Sequence, residues 1–242
     1  INTNSLHFDI INCFNNCENI VVYSSAIKLN HPLLKYFQSI NSFCVKRSKF
    51  LGLISKDFDV IAVAGTHGKT TISTMLTHIL KQNNIDCTSF LGGLSNNYKS
   101  NFILGKSKYM IIEADEFDRS FLSLSPKIIL ISSMDRDHSD TYSTYSDMCN
   151  AYLKFIKNSQ SNLSCLIVHQ CLNLDINDKI RTVNYSLNKE SNYTLKFKKI
   201  ENNELTISLL KFDKKQNLLF KSKDFRVPVH PLHNLENFLA AS

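Results

Sequence analysis

Apolar residues in this chain fall into short unbroken runs that end abruptly in polar or glycine-rich stretches. Val60-Ile61-Ala62-Val63-Ala64 leads into Gly65-Thr66-His67-Gly68-Lys69-Thr70-Thr71, Tyr109-Met110-Ile111-Ile112 leads into Glu113, and Ile128-Ile129-Leu130-Ile131 leads into Asp135-Arg136-Asp137-His138. Leu166-Ile167-Val168 is a fourth run of this kind. Continuous runs, as opposed to alternating ones, predict strands covered on both faces, the signature of a parallel sheet in an α/β fold. Between the first two runs, Ile72, Met75, Leu76, Ile79 and Leu80 recur at helical spacing, so the order there is strand, glycine loop, helix.

The pattern changes toward both ends. Residues 20–24 form a short apolar run, and Pro32 opens a helix predicted through Ile40, which together suggest a small Rossmann-like αβ piece. From about residue 192 onward, Thr194-Leu195-Lys196-Phe197 and Leu205-Thr206-Ile207-Ser208-Leu209 alternate around the polar turn Asn202-Asn203, which predicts a peripheral antiparallel segment. The stretch from Asn234 to Ala241 reads as a terminal helix with Asn234 as its N-cap. The expected fold is thus a mostly parallel P-loop-type sheet flanked by helices.

Composition narrows the classes of function. The chain has 242 residues and is 43% hydrophobic, enough for a substantial core. No run reaches the ~20 apolar residues of a membrane-spanning helix, and the polar start lacks a signal-peptide layout, so no membrane partner and a cytoplasmic location are expected. The seven cysteines are scattered without paired Cys-x-x-Cys spacing and read as reduced thiols. A net charge of +7 raises the question of nucleic acid, but the lysines are dispersed and lack interleaved aromatic residues. A solvated basic face favouring anionic small molecules is the expectation; oligomeric state is not legible.

The chemistry concentrates at the strand ends. In the 65–71 loop, glycines let backbone N–H groups turn toward a phosphate while the following helix presents its positive end. Gly65, Thr66, His67, Gly68, Lys69, Thr70 and Thr71 are the candidate nucleotide cradle, with Lys69 on the β- and γ-phosphates and Thr70 on magnesium. Val63 stands where the longer P-loop pattern has glycine, so only the G-x-x-G-K-T form is present. Glu113, Asp115, Glu116 and Asp118 crowd four carboxylates into six residues, which calls for cations or solvent. Glu113, at the strand terminus, is the candidate magnesium ligand, and solvent exposure is the expectation for some of the other three. His138, amid Asp135, Asp137 and Asp140, is a candidate ligand of a second cation.

These segments, with Phe90-Leu91-Gly92-Gly93, Asp118-Arg119-Ser120-Phe121-Leu122 and His233-Asn234-Leu235-Glu236-Asn237, occur in the order seen in Mur ligases, and the chain resembles that family over nearly its whole length. The resemblance implies an ATP- and Mg2+-dependent carbon–nitrogen ligase of peptidoglycan precursor synthesis, with Lys69, Glu113 and His138 as catalytic residues. It implies that Thr70, Glu113 and His138 hold metal and that His233, Asn234 and Asn237 line the adenine side. The Thr66-His67 form of the loop, with Ser120-Phe121-Leu122 and Asp140-Thr141-Tyr142, resembles the branch joining L-alanine to UDP-N-acetylmuramate. Residues 1–55 would be a remnant of the nucleotide-sugar domain and 56–242 the central ATP-binding domain, with the family's carboxyl-terminal domain absent. Pro231, Ser133 and Arg136 depart from the family pattern. Two other readings share these residues: a peptide-recycling ligase using the same sugar nucleotide, and a truncated or degraded ATP-binding protein without ligase activity.

Overall fold

The computed structural model describes residues 19–135, 141–188, 190–229 and 231–242. The chain divides into two compact units between Ile54 and Ser55. In the first, β1 (Ile20–Tyr23) pairs in parallel with β2 (Phe43–Lys46), and α1 (Pro32–Ser39) connects them. Pro32 sits in the first turn of α1, where its missing N–H costs nothing, and Leu34 and Phe37 are the residues the helix buries. A short helix, α2 (Arg47–Ile54), follows.

The second unit is built on one long sheet. Its parallel centre contains β3 (Asp59–Ala64), β4 (Thr88–Phe90), β6 (Tyr109–Glu113), β7 (Ile128–Ile131), β8 (Cys165–His169) and β9 (Thr182–Tyr185), in the spatial order β9-β8-β7-β3-β6-β4. The two-residue β5 (Phe102–Ile103) closes one edge antiparallel to β4. At the other edge, β10 (Tyr193–Glu201) pairs in parallel with β9 and antiparallel with β11 (Glu204–Phe212), whose far side takes β12 (Leu218–Lys221) and β13 (Phe225–Pro228). The antiparallel segment expected at the periphery therefore continues the same sheet. Its turn rests on Asn202 and Asn203, both at positive φ (50° and 61°), a conformation asparagine tolerates.

Alternation along the strands divides the core between the two faces. Val63, Ile111 and Leu130 face α3 (Lys69–Gln82) and α5 (Leu232–Ala241) in one cluster that takes in Ile72, Leu195, Ile207, Leu235 and Leu239. Ala62, Met110, Ile112, Ile129 and Ile131 point to the opposite face and are also buried. There, α4 (Tyr145–Ser159) stacks Tyr152 and Phe155 on Phe121 of a 3₁₀ segment (Phe117–Ser123), with ring centroids 5.2 and 4.8 Å apart. The hydroxyl of Thr144 accepts from the Asp147 N–H and starts α4.

The terminal helix corrects one expectation. It begins at Leu232 with Pro231 at the N-cap (φ −52°, ψ 148°), so Asn234 lies inside the first turn and caps nothing. Proline ends the preceding extended segment and pre-sets the helix entry, which moves the start upstream. No helix of the described residues is long and apolar enough to cross a membrane.

Two stability measurements test this layout. Ile111→Ala deletes a fully buried side chain between β6 and the helices and should cost about 2–5 kcal/mol by denaturant titration. Asp86, accepting from the Lys106 N–H and the Lys81 ammonium, has its carboxyl held down to about 2 from an ordinary 3.8. Its contribution is present above the ordinary value and lost as pH falls through the lowered one. The gap in Tm between wild type and Asp86→Asn should thus be constant above about pH 5 and close between about pH 4 and 2.

Candidate active site

Three neighbouring strands, β6, β3 and β7, end together and deliver the site. From β3, α3 returns the chain to β4 beyond β6, while β7 lies on the other side, so the crevice opens where the connections diverge. The loop from β3 turns on Gly65 (φ 128°) and Gly68 (φ 82°). A Cβ on Gly65 would stand 2.3 Å from the Ser132 hydroxyl, and one on Gly68 would stand 2.5 Å from the Asn237 side-chain oxygen. Both conformation and space therefore demand glycine. Gly68 also caps α3, whose first turn holds no acidic residue, leaving its positive end open to an anion.

The loop is pinned to the segment after β7. Thr66 N–H donates to the Ser133 carbonyl (3.0 Å), His67 N–H to the Ser133 hydroxyl (2.9 Å), and the Ser132 hydroxyl donates to the His67 carbonyl. Thr66 Oγ1 both accepts from the Asp135 N–H (2.9 Å) and donates to the Asp135 carbonyl (3.1 Å). Ser133 thus works as a loop anchor. The His67 ring is 69% exposed and only 3.6 Å from Asp135 Oδ2, a contact too solvated to hold much.

Two carboxylates from one short segment serve different cationic and polar groups. Glu113 Oε1 accepts from the Thr70 hydroxyl (2.9 Å), and Oε2 from the Gly92 N–H (2.6 Å). A Cβ on Gly92 would fall 2.3 Å from Glu113 Oε1, so the glycine makes room for the carboxylate. Glu116 is wholly buried, and both its oxygens take the Lys69 ammonium at 2.9 and 3.0 Å. Lys69 donates further to the Gly65 carbonyl (2.7 Å) and its side chain is 12% exposed. The Tyr142 hydroxyl donates to the Glu116 carbonyl (2.7 Å), and burial beside the Glu116 carboxylate pushes its pKa up to about 12. Asp115 and Asp118 keep access to solvent, as expected for part of the acidic run; Glu116 does not.

The structure brings together Gly65, Thr66, Gly68, Lys69, Thr70, Glu113 and Asn237. Thr71 lies on α3 one residue past them, and His233 and Asn234 sit in the first turn of α5, His233 exposed. His138 lies outside the described residues. Sequence reasoning missed Glu116, Gly92, Ser132 and Tyr142 as parts of the site; the four-carboxylate run was the one available signal, and it did not say which acid would be buried. Among the described residues no three His, Cys, Asp or Glu side chains gather as a metal cage. The Thr70 hydroxyl and Glu113 carboxylate are hard oxygen donors in contact, which suits a magnesium ion that completes its shell with water and phosphate oxygens. A cavity of about 340 Å3, lined by Asn177, Thr182, Asn184 and Gln216 among others, contains none of these residues.

The model of the Mur ligase middle domain matches residues 63–242, which takes in the end of β3, the glycine loop and every strand and helix after it. The chain belongs to the Mur ligase family. A UDP-N-acetylmuramate–L-alanine ligase of Porphyromonas gingivalis is 46% identical over 149 residues, 61% of this chain and 33% of that protein. One from Cytophaga hutchinsonii is 34% identical over 232 residues, 92% of this chain and 47% of that protein. The chain thus spans about half the length of such curated relatives. Among solved Mur ligase structures, the UDP-N-acetylmuramate:L-alanyl-γ-D-glutamyl-meso-diaminopimelate ligase from Neisseria meningitides superposes with a TM-score of 0.76 at 17% identity, covering 92% of this chain and 72% of that one. At that identity the likeness is one of fold.

The Gly92 contact gives this Mur ligase site a direct test. Gly92→Ala should displace the Glu113 carboxylate and weaken magnesium-dependent nucleotide binding about tenfold, with Tm changed little, as read by calorimetry and thermal melting. Unchanged magnesium dependence would remove Glu113 as a candidate magnesium ligand.

Proposed function

We propose that the chain carries the ATP-binding core of a ligase that joins L-alanine to UDP-N-acetylmuramate. The observation that carries this reading is the glycine loop with Lys69 aimed along it and Thr70 bonded to Glu113, all at the ends of adjacent parallel strands. In this reading residues 1–55 are part of a nucleotide-sugar domain and 56–242 the ATP-binding domain. The sequence relatives favour L-alanine as the amino acid; the peptide ligase of Neisseria shares the fold but much less of the sequence.

The chemistry follows from the charges. The lactyl carboxylate of the sugar nucleotide attacks the γ-phosphorus of ATP, the bond to ADP breaks, and an acyl phosphate forms. The amine of L-alanine then adds to the acyl carbon, the tetrahedral species expels phosphate, and the ammonium proton is lost to give the amide. An acceptor carboxylate needs no base, so the protein must chiefly bring two anions together and screen them. Lys69, the loop N–H groups and the α3 N-terminus do this for the triphosphate. Thr70 and Glu113, with His138 on a second site, would hold Mg2+, which supplies charge neutralisation between phosphate oxygens when bound. Asn237, against Gly68, and His233 and Asn234, one turn away, place the α5 end beside the loop for the nucleoside.

Calorimetry with Mg·ATP tests the nucleotide site. Lys69→Ala should weaken binding about ten- to a hundredfold, the value of one or two charge-assisted hydrogen bonds. Phosphate release that requires both UDP-N-acetylmuramate and L-alanine supports the ligase; release driven by preformed tripeptide in place of L-alanine would instead identify a peptide ligase, and absence of ATP binding would overturn both.

A further inference from the structure

The Lys69 ammonium has three protons and three acceptors: the Gly65 carbonyl at 2.7 Å and the two Glu116 oxygens at 2.9 and 3.0 Å. A phosphate oxygen that binds this lysine must therefore take a proton from an acceptor already in place. Burial leaves the Glu116 side chain little room to swing away. Its carboxylate is fully buried, and its own carbonyl is held by the Tyr142 hydroxyl (2.7 Å) and the Arg119 N–H (2.9 Å). Beyond it the chain turns sharply through Asp118 and Arg119, both left-handed at φ 52° and 53°, a conformation that ties the segment to one path.

We propose that Glu116 is the positioning residue for Lys69: it fixes the ammonium in the glycine loop when no nucleotide is bound and competes with the β- and γ-phosphates for it, so that nucleotide affinity is held down and ADP can leave. The inference rests on the ATP-binding reading above. The competition is between anions of comparable reach for one largely desolvated cation. A lysine stripped of a buried counter-charge is destabilised in the empty protein, and an arriving phosphate then restores what was lost. The empty protein and the complex therefore respond to removal of the Glu116 charge in opposite directions.

Glu116→Gln keeps the shape and one acceptor while deleting the charge. The empty variant should melt below wild type, and its affinity for Mg·ADP, measured by calorimetry on the same protein, should be about tenfold tighter. A merely structural role lowers both stability and affinity, so equal or weaker ADP binding overturns the proposal. Glu116→Asp retains the charge but shortens its reach, which loosens the two-oxygen grip; it should tighten ADP binding by a smaller factor, and it serves as the test should the glutamine variant fail to fold. If wild type itself binds neither Mg·ADP nor Mg·ATP, the nucleotide reading fails and this inference with it; if wild type binds and neither variant binds more tightly, only the role of Glu116 is lost.

Discussion

A largely buried lysine charge in the glycine loop must be given a counter-charge without using every acid at the strand end, and much of the surrounding structure follows from that constraint. Two glutamates three residues apart divide the task. Glu113, the last residue of β6, lies on the same face as α3 and reaches Thr70 and the Gly92 N–H, while Glu116 passes beneath the loop to Lys69. Were both acids to serve the lysine, no oxygen would remain for a magnesium ion; were both to face Thr70, the buried ammonium would stand alone. Gly65, Gly68 and Gly92 are fixed by the same geometry, because a methyl group at any of them would strike Ser132, Asn237 or Glu113.

The parallel sheet makes that division possible. Because β6, β3 and β7 run in one direction, their carboxyl ends converge, so Gly65 comes against Ser132 and Thr70 against Glu113 although each pair is far apart in the chain. α3 and α5 cover one face and α4 the other, so the strands that aim the site are buried on both sides and have little freedom to re-aim it.

The central strands and the glycine loop were legible in the sequence because unbroken apolar runs and an abrupt G-x-x-G-K-T end leave few alternatives. The antiparallel hairpin across Asn202-Asn203 was legible from alternation. The short strands β2, β4, β5, β9, β12 and β13 were not, since, unlike the apolar runs of β1 and β7, their two to four residues are mostly interrupted by polar or charged side chains or too few to stand out. α4 also escaped notice: its stripe of Met148, Tyr152, Phe155 and Ile156 lies among polar residues and mixes aromatic with aliphatic side chains. In the site, Lys69, Thr70 and Glu113 could be named from motif and strand end. The burial of Glu116 could not, because it depends on Tyr142 and on the turn at Asp118 and Arg119, which meet it only in three dimensions. The start of α5 was misplaced for a related reason: proline punctuation at Pro231 outweighed the capping preference of Asn234.

Half of a cation site that nucleotide phosphates complete is the role we propose for Thr70 and Glu113. Electron paramagnetic resonance of Mn2+, a stand-in for Mg2+, measures this directly by counting free ion during titration with and without ATP. With only two protein oxygens in contact among the described residues, Mn2+ should bind weakly to the empty protein and at least tenfold more tightly once ATP is present. Equal binding with and without nucleotide would contradict the account and show that the protein builds its metal site without the phosphates.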